Sequence, residues 1–315
     1  MTERTEFPAA PSTRDLGIAT AMLILTPLFW AGHSVVGRLV ANEIPTFSLV
    51  SIRWFIAFFI LMIFIWPRVW AERCLLVKHW RYVLLTAIVG PVLFPCLLYA
   101  GLKTTTVANT SIIQTFVPGL VPFIAWILLR ERVAIQQIIG ILISALGVSV
   151  IITQGNPLAI ADVTFVPGDL IILGAFTTWS LYTVMIRLKP STMHANTLLA
   201  SSMAIGGLAT LPLWIWEASN GHYIPMNEDA LWSMAYIIIF PSLLAYYFYN
   251  HAISIVGATK AGLASHLVPP LGILLAVIFL GEVLQSFHAV SFAAILVGVA
   301  LVIRGGRASK KLKPG

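Results

Sequence analysis

The fold is decided by a stretch that the chain contains twice. Residues 107–147 read VANTSIIQTFVPGLVPFIAWILLRERVAIQQIIGILISALG, and residues 258–298 read ATKAGLASHLVPPLGILLAVIFLGEVLQSFHAVSFAAILVG. Three unlike residue types coincide when the two are superposed: Pro118 with Pro269, Glu131 with Glu282, and Gly147 with Gly298. Because one offset is kept for three unlike residues over a long interval, the pattern indicates a duplication rather than chance apolar similarity.

The duplication extends over the whole chain. Trp30 matches Trp179 and Tyr99 matches Tyr249 at nearly the same offset. We therefore expect two similar halves with short additions. The predicted division is an N-terminal tail over 1–15, a first five-helix repeat over 16–153, a linker over 154–168, a second five-helix repeat over 169–304, and a basic tail over 305–315.

The composition places the chain in a membrane. Of its 315 residues, 59% are hydrophobic and only 10% are charged, whereas a soluble domain carries about 25% charged residues. A spanning helix needs about 20 predominantly apolar residues, and the apolar runs lack the alternation of a β-barrel. We predict an all-α integral membrane protein with ten transmembrane helices. The lipid bilayer is its expected partner, and nucleic acid is not, because the basic residues lie at helix ends.

The distribution of Lys and Arg predicts the topology. With the N-terminus placed inside, sixteen of the 19 basic residues fall in inner segments. Such an excess is typical of cytoplasmic loops. We expect both termini in the cytoplasm of a bacterial cell and a multi-pass protein of the inner membrane.

Ten spans in two halves have a mechanical consequence. Each half has an odd number of spans, so the second half enters the membrane inverted relative to the first. Inverted repeats around a central cavity are typical of alternating-access transporters, so we expect a small-molecule substrate. Small-residue faces at Gly140/Ser144 and Ala294/Gly298 could pack within the fold or between protomers, so either a monomer or a weak homo-oligomer is expected.

A set of polar and aromatic residues at helical spacing predicts the substrate site. Trp30, His33 and Ser34 share one face of the first span, and the matching positions in the sixth span repeat that face. The alternative is that these side chains only hydrogen-bond neighbouring helices. The candidate substrate-binding residues are Trp30, His33, Ser34, Tyr99, Gln114, Trp179, Tyr182, Thr183, Tyr246, Tyr249, Asn250 and His266.

Prolines inside the spans predict kinks, because each removes a backbone hydrogen bond. Kinks at matched depths in the two halves would suit a gate or hinge, although static kinks that improve packing are the alternative. The candidates are Pro91, Pro95, Pro118, Pro241, Pro269 and Pro270.

Arg53 lies inside the second span, where a charged residue is costly. It could bond carbonyl groups of neighbouring helices or reach outward to the membrane surface, which are structural roles. It could instead bind a substrate carboxylate. Both interpretations stay open from the sequence.

Several kinds of chemistry find no support in the sequence. The acidic residues lie in tails, loops or span ends, so no buried carboxylate is expected for ion coupling, and any proton coupling would use His33 or His266. No metal-ligand cluster, phosphate-binding loop or nucleophile motif is present. We therefore expect no metal, no cofactor and no enzymatic activity, with a lipid flippase or a membrane-embedded enzyme as the competing classes.

The duplicated stretch resembles the EamA-type half-domain of the drug/metabolite transporter superfamily. The resemblance rests on a Pro in the fourth helix, Gly281–Glu282 at the end of the ninth, and a Gly in the fifth and tenth; the first copy departs with Arg130–Glu131. It implies ten helices, cytoplasmic termini and a central cavity. The aromatic faces resemble those of exporters of neutral or aromatic amino acids, while nucleobases, nucleosides and drugs are the alternative substrates.

Overall fold

The structure is a computed structural model that describes residues 12–40, 43–105, 110, 113–114, 116–130, 133–153, 155–156, 158, 166–280 and 286–311. Glu131 and Glu282, which helped to reveal the duplication, lie outside these residues, and the same holds for the side chains of Ser34 and Pro269.

The described part of the first half consists mainly of helices joined by short turns. Its helices are α1 (Thr13–Val40), α2 (Thr46–Ala71), α3 (Arg73–Lys78), α4 (Trp80–Leu102), α5 (Val117–Leu129) and α6 (Ile135–Ile152).

The second half repeats this order. Its elements are α7 (Pro167–Arg187), α8 (Ala195–Ser219), α9 (Glu228–Val256), α10 (Ala258–Gly262), a 3₁₀ turn (Leu263–Leu267), α11 (Val268–Leu280) and α12 (Ser286–Lys311).

Six of these helices, α1, α2, α4, α7, α8 and α9, are long and apolar enough to cross a membrane. Shorter apolar helical stretches lie at Val117–Leu129, Ile135–Val150 and Ala289–Val302. The described part of the chain contains no β-strand, so the all-α multi-pass class is confirmed. The count of ten spans stays a prediction.

Helix extends beyond the predicted spans in two places. Helix α3 follows α2 directly, and the basic tail predicted over 305–315 is helical as far as Lys311. The tail continues the helix of the last span and contains Arg307, Lys310 and Lys311, which are good helix formers.

The second helices of the two halves, α2 and α8, hold each other at both ends. The Glu217 carboxylate at the end of α8 accepts hydrogen bonds from the Phe47 N–H (3.0 Å), the Ser48 N–H (2.7 Å) and the Ser48 hydroxyl (2.8 Å) at the start of α2. At the other end, Glu72, which follows α2, accepts from the His194 N–H at the start of α8 (2.9 Å). The two helices therefore run antiparallel, as inverted repeats require.

The last helices of the two halves, α6 and α12, also pack against each other. A Cβ atom added to Gly140 would lie 2.5 Å from the Gly298 carbonyl oxygen, and one added to Gly147 would lie 2.9 Å from the Ser291 carbonyl oxygen. Residue numbers rise along α6 as they fall along α12, so this pair is antiparallel too. The small-residue faces therefore pack within the fold.

The third long helix of each half contains a π-helical segment around a proline. These segments are Ile88–Leu93 within α4 and Ile238–Leu244 within α9. Pro91 and Pro241 each lack the N–H that an α-helical turn would use, so the backbone is loosened locally. The Trp54 indole N–H donates to the Pro91 carbonyl (2.8 Å), while the Ser242 hydroxyl donates to the Ile237 carbonyl (2.7 Å). The π-helical segments thus occur at matched places in both halves.

Candidate functional site

Aromatic rings from both halves meet where α1, α7 and α9 come together. The Trp30 and Trp179 rings touch edge to face, with centroids 5.0 Å apart. Tyr249 lies 5.2 Å from each of them and stacks on Trp179. Both tryptophans and Tyr249 were predicted from the repeat, and the structure brings them into one cluster.

Further rings extend this cluster. Tyr246 contacts Trp179 at 5.5 Å and Trp54 at 4.9 Å between centroids, and Tyr182 contacts Trp179 at 5.5 Å. Phe94 lies 5.0 Å from Trp179. The cluster therefore draws side chains from α1, α2, α4, α7 and α9, which belong to both halves. We call this set the aromatic cluster: Trp30, Trp54, Phe94, Trp179, Tyr182, Tyr246 and Tyr249.

Trp54 and Phe94 are members that the sequence interpretation missed. Neither residue has an aromatic counterpart in the other half, where Met203 and Leu244 stand near the matching positions. Their neighbours in the sequence could have indicated them as site residues, because Trp54 follows Arg53 and Phe94 precedes Pro95.

Two hydrogen bonds fix polar groups around the rings. The Asn250 amide N–H donates to the Tyr182 hydroxyl (2.7 Å), and the Thr183 and Tyr249 hydroxyls are 3.1 Å apart. Thr183 also donates to the Trp179 carbonyl of its own helix (2.9 Å). These predicted site residues therefore orient the rings.

Three polar atoms beside the rings lack a hydrogen-bond partner among the described residues. They are Arg53 Nε, Tyr246 Oη and Asn250 Oδ1. Their side chains are only 4%, 3% and 2% exposed, respectively. Leaving one buried polar group unpaired costs about 1–3 kcal/mol, so a ligand that paired with these three atoms would recover part of that cost. Three further buried atoms in the described residues, the hydroxyls of Thr86, Thr197 and Ser202, are unpaired as well.

Arg53 is buried, which eliminates the interpretation in which its side chain reaches outward. The guanidinium Cζ lies 4.6 Å from the centroid of the Trp54 ring, within the range of a cation–π interaction. Arg53 thus provides a positive charge at the edge of the aromatic cluster.

His33 and Tyr99 form a pair beside this charge. His33 Nε2 and the Tyr99 hydroxyl are 2.8 Å apart, and their rings are perpendicular. Both were predicted site residues, and each has the other as a partner. This pair joins α1 to α4 within the first half.

The other predicted residues lie elsewhere or in less defined surroundings. His266, in the 3₁₀ turn, hydrogen-bonds the Ser144 hydroxyl of α6, so this contact lies on the last helix of the first half and not in the aromatic cluster. Gln114 is half-buried. The other candidate hinge prolines with described side chains are buried within helices, namely Pro95, Pro118 and Pro270.

The place predicted for a central cavity is filled by the contacting rings of Trp30 and Trp179. An unfilled gap between the rings would cost both of them van der Waals contacts. In this conformation the Trp30 face of α1 and the Trp179 face of α7 are therefore in direct contact. A ligand would have to separate them.

Two of the acidic residues that lie at span ends are buried against the protein. Glu217 is 6% exposed and Asp169 is 4% exposed. Glu217, at the end of α8, caps the start of α2, and Asp169 accepts from the Val166 N–H (2.8 Å) at the start of α7. The positive end of a helix dipole stabilises a carboxylate, which is why these two are tolerated inside. Among the described residues, no group of three His, Cys, Asp or Glu is placed to hold a metal ion.

The sequence profile of the EamA-like transporter family matches residues 17–153 and again residues 166–304. The chain belongs to the EamA-like transporter family. The two matches cover the two halves that pack against each other in the structure. The family assignment therefore makes this a membrane transporter with two repeats.

Relatives in bacteria and archaea agree with this assignment. "Uncharacterized transporter YetK" of Bacillus subtilis is 27% identical over 291 residues, covering 91% of this chain and 86% of the relative. "Uncharacterized transporter YyaM" of the same organism is 28% identical over 220 residues, covering 69% and 71%. An "Uncharacterized transporter" of Archaeoglobus fulgidus is 25% identical over 282 residues, covering 89% and 95%.

One solved crystal structure has the same fold. It superposes with a TM-score of 0.75 and 18% identity, and it covers 94% of this chain and 99% of the other. At this identity the likeness concerns the fold alone.

Proposed function

We propose that this transporter carries neutral or aromatic amino acids across a bacterial inner membrane, as an exporter, by alternating access of its two halves. The observation that supports the proposal is the aromatic cluster together with three unpaired buried polar atoms, Arg53 Nε, Tyr246 Oη and Asn250 Oδ1. In this proposal both termini are cytoplasmic and ten spans form two inverted repeats over 16–153 and 169–304.

The chemistry of the unpaired atoms matches an amino acid at both ends of its zwitterion. Arg53 would bind the carboxylate, since guanidinium–carboxylate hydrogen bonds are among the strongest in proteins. Asn250 Oδ1 is an acceptor and would receive an N–H of the ammonium group. The side chain of the substrate would lie between Trp30 and Trp179, where aromatic pairs gain about 0.5–1.5 kcal/mol beyond the burial of area.

Transport requires the rings to separate first toward one side and then toward the other. Trp30 and Phe94 belong to the first half, and Trp179 belongs to the second, so rotation of one half against the other would change these contacts. In this proposal the π-helical segments around Pro91 and Pro241 take up the bending. A central site at a repeat interface is the arrangement that alternating access uses.

The test is counterflow into liposomes that contain only the purified protein. The labelled substrates are phenylalanine, its decarboxylated amine phenethylamine, adenine, and a lipophilic cation, each with and without an imposed pH gradient. We expect saturable exchange of phenylalanine and little exchange of phenethylamine, because the amine has no carboxylate for Arg53.

Other outcomes would reassign the function. Equal exchange of phenethylamine and phenylalanine would remove the carboxylate role, and exchange of adenine alone would favour a nucleobase exporter. Movement of a fluorescent phospholipid between leaflets, with none of the small molecules exchanged, would favour a flippase.

A further inference from the structure

The end of α2, the short helix α3 and the first turn of α4 carry an exposed surface away from the aromatic cluster. Tryptophans and arginines alternate there, and all of these side chains are exposed. We call this the α2–α3 surface, and its residues are Trp66, Arg68, Trp70, Arg73, Trp80 and Arg81.

The rings and guanidinium groups of this surface are arranged against each other. The Trp66 and Trp70 rings stack with centroids 5.5 Å apart. Arg73 Cζ lies 4.7 Å from the Trp70 centroid, and its Nη1–H donates to the Trp70 carbonyl (2.7 Å). Arg81 Cζ lies 5.5 Å from the Trp80 centroid. The aromatic faces therefore hold the positive charges at the surface instead of letting them extend freely.

A shallow, open groove adjoins Arg68 on α2. It is lined by Phe64, Ile65, Pro67 and Arg68, all within one stretch of this helix. Phe64 is 76% exposed, so the groove is open to whatever surrounds the protein. Three apolar side chains beside one arginine suit an amphipathic occupant with a negative head.

The second half offers an internal comparison. Between Pro212 and Asp229, which covers the end of α8 and the connection that follows it, the sequence contains no Lys or Arg. The basic residues that follow α2 are therefore a feature of the first half alone.

We propose that the α2–α3 surface is a binding site for an anionic phospholipid of the cytoplasmic leaflet. The phosphate lies against Arg68 and Arg73, the tryptophan rings lie at the depth of the headgroup and glycerol, and an acyl chain occupies the groove beside Phe64.

Charge complementarity favours this occupant. Basic residues next to a span attract anionic lipids, and tryptophan is enriched where the membrane meets water. The neighbouring carboxylate of Glu72 receives the His194 N–H at the start of α8, so its charge is directed toward that helix. A free phosphate ion would use the arginines but would gain nothing from the apolar groove.

The test is native mass spectrometry of the detergent-solubilised protein with phosphatidylglycerol and phosphatidylcholine of identical acyl chains. We expect the unaltered protein to bind phosphatidylglycerol in preference. The Arg68→Gln/Arg73→Gln variant should bind it about 30-fold more weakly, and Arg81→Gln alone about fivefold more weakly, from the usual contribution of each basic residue.

The matched control is Arg130→Gln/Arg304→Gln, which removes the same charge from two exposed arginines away from the groove and should change binding much less than the first double variant does. An equal loss in both double variants would overturn the proposal, because only net charge would then matter. Equal binding of the two lipids by the unaltered protein would also overturn it. Full competition by glycerophosphoglycerol, the headgroup without acyl chains, would mean a free-anion site instead.

Discussion

Replacing Glu217 by Gln should destabilise the fold more than any other single change at a helix start. The Glu217 carboxylate is 6% exposed and accepts three hydrogen bonds from the first turn of α2. An amide has one oxygen, so it can retain the two bonds from Ser48 but turns its NH₂ group toward the Phe47 N–H.

The magnitude follows from these contacts. One hydrogen bond to a charged group contributes about 1.5–3 kcal/mol, and a carboxylate at a partly buried helix start contributes up to about 2 kcal/mol through the helix dipole. Allowing for overlap between the two, Glu217→Gln should cost about 2–4 kcal/mol of unfolding free energy.

The assay is reversible unfolding in mixed micelles, followed by tryptophan fluorescence. Glu228→Gln is the control, since Glu228 is an exposed glutamate in the first turn of α9 and should cost less than about 1 kcal/mol. Glu72→Gln should lie between them, because one hydrogen bond from the His194 N–H is at stake. The reasoning is refuted if Glu217→Gln is no more costly than Glu228→Gln.

Three further changes test other contacts. Gly140→Ala should cost about 1–3 kcal/mol, because the new methyl group would lie 2.5 Å from the Gly298 carbonyl oxygen; the exposed Gly17→Ala, which meets nothing within 4 Å, should cost nothing in the same unfolding assay. Trp54→Phe should cost about 1–3 kcal/mol, since it leaves the buried Pro91 carbonyl without the indole N–H; an unchanged unfolding midpoint would contradict this. Burial lowers the pKa of His194, and the charge of Arg68 lowers it further, as do Lys189 and His251, while Glu72 opposes them. The unfolded chain then binds the proton more readily, so stability should fall as the pH drops below about 6.5, and a His194→Asn variant, which keeps a side-chain cap, should show a smaller fall in melting temperature between pH 8 and pH 5.5.

The duplication carried most of what could be predicted. Residues present in both copies, such as Trp30 with Trp179 and Pro91 with Pro241, led to the centre of the fold and to its two bent helices. Tyr182, Tyr246 and Asn250 followed because they share helical faces with the repeated residues. Periodicity and composition were sufficient for the helices because lipid leaves few other backbone structures available.

What could not be predicted depends on contacts between the halves. Glu217 stood at the edge of a connection in the sequence, and only the antiparallel packing of α2 on α8 places its carboxylate on another helix start. Trp54 has no aromatic counterpart in the other half, so no repeat-based argument could find it. The closure of Trp30 on Trp179 is a property of the conformation and not of the residue pattern.

The central claim is that Arg53 binds the substrate beside the aromatic cluster. It is tested most directly by phenylalanine counterflow with Arg53→Gln, compared with Arg304→Gln and with the folded yield of each variant. Removing a buried charge whose Nε has no partner should leave the yield of folded protein unchanged, while exchange falls at least about tenfold because the carboxylate loses a charged partner. Normal exchange by Arg53→Gln, or a loss of exchange that merely follows a loss of folded protein, would contradict the account.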